Sequence, residues 1–259
     1  PTAAAEAIGS YLRSAATLGR RTAEMHLALA SGSDEPDFAP EPLTPADMDA
    51  LRNEVLRQGR AALSALADNL ARLPDEVSPD ARRLLDEGPA ALDALAGRPM
   101  TVPEAAKTRV HGDYHLGQVL RVGDDYVILD FEGEPTRTVE ERREKFSPIR
   151  DVAGMLRSYH YAAYAGLFAF AEGRPEEVPR LVPWATLWQQ WVSAAFLREY
   201  LAVAEGAAFL PKGRAGFASL LDAFTLAKAL YELSYELNNR PDWVRIPLGG
   251  VLGLLGRRE

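Results

Sequence analysis

The sequence predicts a mainly helical α+β protein with one small sheet set among long helices. Three observations predict it. Apolar residues recur at helical spacing through most of residues 1–98, and again from Ile149 to near the C-terminus. Between these stretches lie short β-branched runs, "RVHG", "QVLRV" and "YVILDFE". The chain has 259 residues, 47% of them hydrophobic, which is enough for one large core or two smaller ones.

The elements follow in order. Ile8, Leu12, Leu18, Met25 and Leu29 predict one long first helix, ended by the Pro, Ser and acidic loop "SGSDEPDFAPEP". Thr44, with Asp47 three residues on, is a capping-box start. Met48, Leu51, Val55, Leu63, Leu66 and Leu70 carry that helix to Pro74. Ser78-Pro79 opens another helical segment, expected to be interrupted at Gly88-Pro89. The last two β-branched runs are joined by Gly123-Asp124-Asp125 as a hairpin. Three helices follow, over "RDVAGMLRSYHYAAYAGLFAFAEG", "PWATLWQQWVSAAFLREYLAVAEG" and "AGFASLLDAFTLAKALYELSYELNNRP". The domain organisation expected is a helical segment 1–98, a motif-bearing sheet region 108–135 and a helical subdomain 148–259.

Composition narrows the function classes. There is no cysteine, so disulfides, thiolate metal sites and a cysteine nucleophile are excluded. No secretory signal and no apolar run of membrane-spanning length is visible, so a cytoplasmic location without membrane partners is expected. A formal net charge of −8 argues against nucleic acid as a partner; the tight basic groups Arg142/Arg143 and Arg257/Arg258 are short. A small neutral substrate fits this balance, and a cationic one is compatible with it.

The chemistry concentrates between Val110 and Pro135. Asp113 follows His111-Gly112, Gln118 lies five positions on, and Asp130 closes the run "YVILD" ahead of Phe131-Glu132-Gly133. This is the spacing of a kinase catalytic loop and its metal aspartate: a base for an acceptor hydroxyl, an amide, and a carboxylate that bridges metal to phosphates. Phosphoryl transfer asks the protein for positioning, charge neutralisation and a base near the hydroxyl. Mg²⁺ prefers hard oxygen donors, which Asp130, Gln118 and Glu132 supply. Taken singly, each aspartate reads better as a turn or strand-end residue; the combined spacings carry the signal.

The blocks "HGDYHLGQ", "DFEGEP", "SPIRDVAGMLRSYHYAA" and "ALYELSYELNNRPDWVRIPL" resemble the aminoglycoside phosphotransferase and choline kinase-like superfamily, and most closely the bacterial maltokinases. Gln118 favours the narrower group, since other relatives usually carry asparagine there. The resemblance implies the C-terminal lobe of a protein kinase-like fold and an ATP- and Mg²⁺-dependent transfer to the anomeric hydroxyl of maltose, giving maltose 1-phosphate. It implies Asp113 as catalytic base and Gln118 and Asp130 as metal ligands, with Glu132 and His115 as further candidates for metal or phosphate.

Other residues admit two readings. Asp151 begins a helix, where it either braces the catalytic loop or serves the helix macrodipole as an ordinary acidic first-turn residue. His111 is read as structural support of the loop; His115 faces phosphate or sugar, or is satisfied by backbone groups. Tyr231, Tyr235 and Asn238 share a helix side with Lys228, Glu232 and Glu236 beside them, a set suited either to sugar contact or to a packed aromatic stripe with a solvated charged face. Trp184, Trp188 and Trp191 read as packing residues.

A kinase of this kind also needs a phosphate-covering loop and a strand lysine. The only lysines are Lys107, Lys145, Lys212 and Lys228, and none sits in such a strand ahead of Asp113. The expectation is therefore a chain lacking its N-terminal nucleotide-binding lobe, inactive alone, with that lobe, a small sugar such as maltose and, by fusion, trehalose synthase as partners. The competing readings are a phosphotransferase for an aminoglycoside or choline, and a non-catalytic sugar-binding or regulatory module.

Overall fold

A computed structural model describes residues 2–32, 35–97, 100–135 and 137–256. Parts of three expectations, the loop residues Ser33 and Asp34, the helix end at Arg98 and the basic pair Arg257/Arg258, lie outside the described residues. In chain order the elements are α1 (Thr2–Ile8), α2 (Tyr11–Leu29), β1 (Glu41–Pro42), α3 (Pro45–Asn69), α4 (Ser78–Ala96), β2 (Ala106–Lys107), β3 (Val119–Val122) and β4 (Asp125–Ile128). There follow α5 (Val139–Arg143), α6 (Ile149–Phe170), α7 (Val178–Val203), α8 (Arg214–Asn239) and α9 (Arg245–Leu255). The mostly helical α+β class is as expected.

Several local expectations need correction. The first helix is two, because Gly9 adopts φ +64° and its N–H closes on the Ala5 carbonyl, a left-handed helix end. Gly88-Pro89 does not interrupt α4. Leu84 and Gly88 are buried while Pro89 faces solvent, and a Cβ on Gly88 would stand 2.9 Å from Leu63 of α3, so packing on α3 overrides the local breaker. Likewise α7 starts at Val178, with Pro179 in its first turn, and runs on through Pro183. "RVHG" is not a strand: Thr108 forms one isolated bridge to Phe146, and the following amides are committed elsewhere. The hairpin turn is Gly123-Asp124 alone, since Asp125 already pairs with Val122. The antiparallel pair β1–β2, two residues long, was too short to read from pattern.

By internal packing the chain forms two compact units, Pro1–Pro42 with Ala105–Lys212 and Leu43–Glu104 with Gly213–Glu259. The helical stretch 1–98 thus contributes to both, as does 148–259. In the first unit α2 packs along α7, α6 lies on α7, and β4 meets α2. Its core joins Ala15, Leu18 and Ala23 of α2 to Val152, Met155 and Tyr159 of α6 and Val192, Phe196 and Tyr200 of α7. In the second unit α3 packs on α8 and α4, and α9 on α8 and α4, around Val55, Leu66, Leu84, Leu226, Leu233 and Val251. Each such fully buried aliphatic side chain contributes about 1.5–3 kcal/mol. Thr44 caps α3 with the reciprocal Asp47 bond that its spacing predicts.

Candidate functional site

The site belongs to the first unit and is assembled around the turn after β2. Its backbone is drawn not to a strand but to a carboxylate: Asp151, in the first turn of α6, accepts the N–H of His111 at 2.7 Å and that of Gly112 at 3.0 Å. Gly112 takes φ +88°, the left-handed region that favours glycine. The same helix holds the loop at two further points. Ser158 accepts the Leu116 N–H at 3.0 Å, and Gly154 lets α6 approach so closely that a Cβ there would stand 2.6 Å from the Tyr114 carbonyl oxygen.

Asp151 is itself buried, at 2% exposure. Burial alone raises a carboxyl pKa, but the hydrogen bond from His26, the fields of His26 and His111 and the Gly112 N–H outweigh it and hold this group below the usual carboxylate range. His26 Nε2 lies 3.1 Å from Asp151 Oδ2, and His26 Nδ1 lies 3.0 Å from the Tyr200 hydroxyl.

His111 ties the loop to the hairpin. Its Nε2 lies 2.7 Å from the Leu129 carbonyl oxygen, which requires the proton on Nε2 and leaves Nδ1 to accept the Asp113 N–H at 3.4 Å. The ring is buried between Tyr114 and Phe131, at centroid distances of 5.2 and 5.0 Å. The Tyr114 hydroxyl meets Thr22 Oγ1 of α2 at 2.8 Å, and burial raises its pKa.

Asp113 is half-buried, with His115 Nε2 at 3.8 Å from its Oδ2. The other ring nitrogen of His115 accepts the Gly117 N–H at 3.0 Å, which caps the short 3-10 turn Leu116–Gln118. Gln118 then reaches across to Asp130, its Nε2 donating to Oδ2 at 2.9 Å. Asp130 is the one non-glycine residue with positive φ among the described residues, at φ +64°, a strained backbone of the kind that collects at functional sites. Glu132 stands 3.8 Å from Arg142.

The hairpin is anchored from outside. Arg21 of α2 engages the Asp125 carboxylate through two nitrogens, Nε at 2.7 Å, and this pairing pulls the carboxyl down to about 2. Tyr126 adds a 3.0 Å bond to Ser14. The hairpin leaves Leu120, Val122, Val127 and Leu129 exposed.

The loop, hairpin and helix-start residues thus lie together, whereas the α8 candidates belong to the second unit. There Lys228 lies over the Tyr231 ring at 5.0 Å, and Arg240 holds the buried Glu236 through Nε at 2.9 Å and Nη2 at 2.7 Å. The Asn238 amide bonds to the Ser234 carbonyl, and Tyr235 is exposed. Glu232 lies on the same helix. His26, Tyr200 and Ser158 were not singled out from sequence; a histidine inside the apolar stretch "AEMHLAL" was the one available signal.

The donor set fits Mg²⁺ better than a tightly caged ion. Among the described residues no three His, Cys, Asp or Glu side chains converge on a point. Mg²⁺ typically takes one or two carboxylates and completes its shell with water and substrate phosphate oxygens. Asp130 offers the carboxylate, and turning the Gln118 amide over would present its oxygen, an orientation that hydrogen-bond networks rather than heavy-atom positions decide. Across the described residues no helix is long and apolar enough to cross a membrane.

The fold that carries this loop and hairpin resembles that of solved sugar kinases. In particular, the chain has a glucosamine-kinase-like fold over nearly its whole length. A solved glucosamine kinase in complex with glucosamine, ADP and inorganic phosphate superposes with a TM-score of 0.69 at 25% identity, covering 98% of this chain and 60% of that one. A second solved glucosamine kinase gives 0.68 at 27% identity, covering 94% and 54%. In sequence, the glucosamine kinase of Streptacidiphilus jiangxiensis is 30% identical over 251 residues, 94% of this chain and 50% of that protein. That of Mycolicibacterium smegmatis is 27% identical over 96% of this chain and 55% of that protein. The chain spans about half the length of the curated relatives it matches. No protein-family model matches it.

These relatives correct the narrower resemblance. They are glucosamine kinases, so the maltokinase assignment falls, together with maltose as acceptor, the trehalose and glycogen context and trehalose synthase as partner. The aminoglycoside phosphotransferase and choline kinase-like assignment falls with it. The expected partnership with a missing N-terminal lobe falls too: the matches run along nearly all of this chain and about half of each relative, a coverage that establishes no such partner.

Proposed function

We propose that this chain carries the acceptor-phosphorylating site of an ATP-dependent glucosamine kinase, in a kinase-type lobe built around the catalytic loop and the metal aspartate. The observation that carries the reading is the fixed His-Gly-Asp loop, whose two amides grip one buried carboxylate at 2.7 and 3.0 Å, in a fold whose solved relative binds glucosamine, ADP and phosphate. Asp113 accepts the proton of a glucosamine hydroxyl as its oxygen attacks the γ-phosphorus of ATP and the bond to ADP breaks. Gln118 and Asp130 hold Mg²⁺, which neutralises phosphate charge when bound. Glu132 and His115 stand by as phosphate- or metal-side groups, and His111 and Asp151 support the loop.

The net charge of −8 suits an acceptor that carries an ammonium group. On α8, in the second unit, Lys228, Tyr231, Glu232, Tyr235 and Asn238 remain the proposed sugar-binding candidates; Glu236 drops out of that set, since it is buried and both its carboxylate oxygens are held by Arg240. Glucosamine-dependent release of ADP by the protein that carries this chain, with maltose as the control sugar, tests the reading. Turnover with glucosamine and none with maltose is the expected result; ADP release indifferent to glucosamine overturns it.

A further inference from the structure

We propose that His26, on α2 and outside the loop, is a positioning residue for the His-Gly-Asp turn: oriented by Tyr200, it fixes the Asp151 carboxylate, and Asp151 fixes the turn. The consequence for catalysis rests on the reading of Asp113 as base; the brace itself rests on geometry alone.

The four groups form one line. The Tyr200 hydroxyl of α7 lies 3.0 Å from His26 Nδ1, and His26 Nε2 lies 3.1 Å from Asp151 Oδ2. The same Oδ2 accepts the His111 N–H at 2.7 Å, and Oδ1 accepts the Gly112 N–H at 3.0 Å. A single tautomer satisfies every member: the proton sits on Nε2 and points to the carboxylate, while Nδ1 accepts from the tyrosine hydroxyl. His26 and Tyr200 are fully buried, so no solvent competes for these bonds. The imidazole cannot tilt freely either, because Tyr200 and Phe209 meet it edge-on at 5.6 and 6.1 Å.

Asp151 needs this third donor. A buried carboxylate deprived of one partner either takes a proton or swings towards what donors remain, and both changes release a loop amide. Simple core filling by His26 would predict something different: a loss of global stability with the turn unaffected in molecules that remain folded.

Amide hydrogen exchange of the chain, read residue by residue in His26→Ala, His26→Gln and Tyr200→Phe, separates these. The control is the Thr108 N–H, which bonds to the Phe146 carbonyl and not to Asp151. His26→Ala is expected to speed exchange at His111 and Gly112 by about tenfold relative to Thr108, the effect of stripping one hydrogen bond from a buried charge. His26→Gln should restore most of the protection, because its amide supplies an N–H near the Nε2 position, and Tyr200→Phe should give a smaller loss. If His111 and Gly112 move only in step with Thr108 in all three variants, the proposal is overturned. Should His26→Ala fail to fold, the other two variants keep the comparison. In the protein that carries this chain, His26→Ala should lower kcat with KM for glucosamine little changed. Selective loss of protection at unchanged kcat would confirm the brace and count against Asp113 as the base.

Discussion

The two aspartates at the centre of the site are held by opposite means. The turn that presents Asp113 is gripped from beneath by a buried carboxylate, crossed by the His111 ring and pressed by Gly154 of α6. Asp130 sits on an exposed, strained residue at the end of a two-stranded hairpin, with Gln118 as its side-chain partner at 2.9 Å. The difference matches the two roles proposed for them. A base acts through one short contact and loses its effect when displaced by about 1 Å. A ligand for Mg²⁺ shares the ion with water and phosphate oxygens and has to stay open to them.

The largest expected effect tests the rigid side. Asp113→Asn keeps the shape and removes the basic oxygen, so turnover by the protein carrying the chain should fall by about 10²–10⁴-fold with an unchanged unfolding transition. Steady-state kinetics and thermal unfolding check this together. Retained turnover would remove Asp113 from the chemistry and make the braced turn a purely structural feature.

The open side should respond differently to Asp130→Asn. The Mg²⁺ concentration for half-maximal turnover should rise by about tenfold or more, and added Mg²⁺ should recover part of the rate. A metal titration of the variant measures it. If saturating Mg²⁺ recovers nothing while the apparent metal affinity is unchanged, Asp130 is not the ligand and the contrast between the two ends fails.

That contrast was only half visible in the sequence. Hydrophobic periodicity located the helices, the Thr44 capping box marked the start of α3, and the β-branched runs before and after Gly123 located the hairpin, because these signals are local. Gly88-Pro89 misled for the same reason: a local breaker was read where packing of Gly88 on Leu63 decides the path. The brace was less accessible still, since His26 and Asp151 are 125 positions apart and meet only through the packing of α2, α6 and α7. The acceptor was misread on other grounds. The role proposed for the "HGDYHLGQ" and "DFEGEP" blocks, phosphoryl transfer, is common to enzymes with different acceptors, so these blocks carry little information about which sugar is bound.

The smallest expected effect isolates what keeps the brace charged. Asp151 and His160 lie on the same helix and both are largely withdrawn from solvent, yet only Asp151 keeps its charge favoured. Burial lowers the His160 pKa to about 3, assisted by the positive Arg157, whose Nη1 lies 3.3 Å from His160 Nδ1. In the unfolded chain this ring titrates near its ordinary value of about 6.5, so below that pH the unfolded state binds the extra proton. Stability from this group is therefore complete above about pH 6.5 and declines as pH falls towards 3. Between pH 7 and pH 5 the loss should be about 1–2 kcal/mol, and His160→Gln should remove that part of the slope. Denaturant unfolding at the two pH values, wild type against variant, measures it. An unchanged slope in the variant would mean that burial is not what sets the charge of His160. Burial with converging donors would then lose its counterexample, and the low pKa of Asp151 could no longer be credited to His26 and the loop amides by contrast with its neighbour on α6.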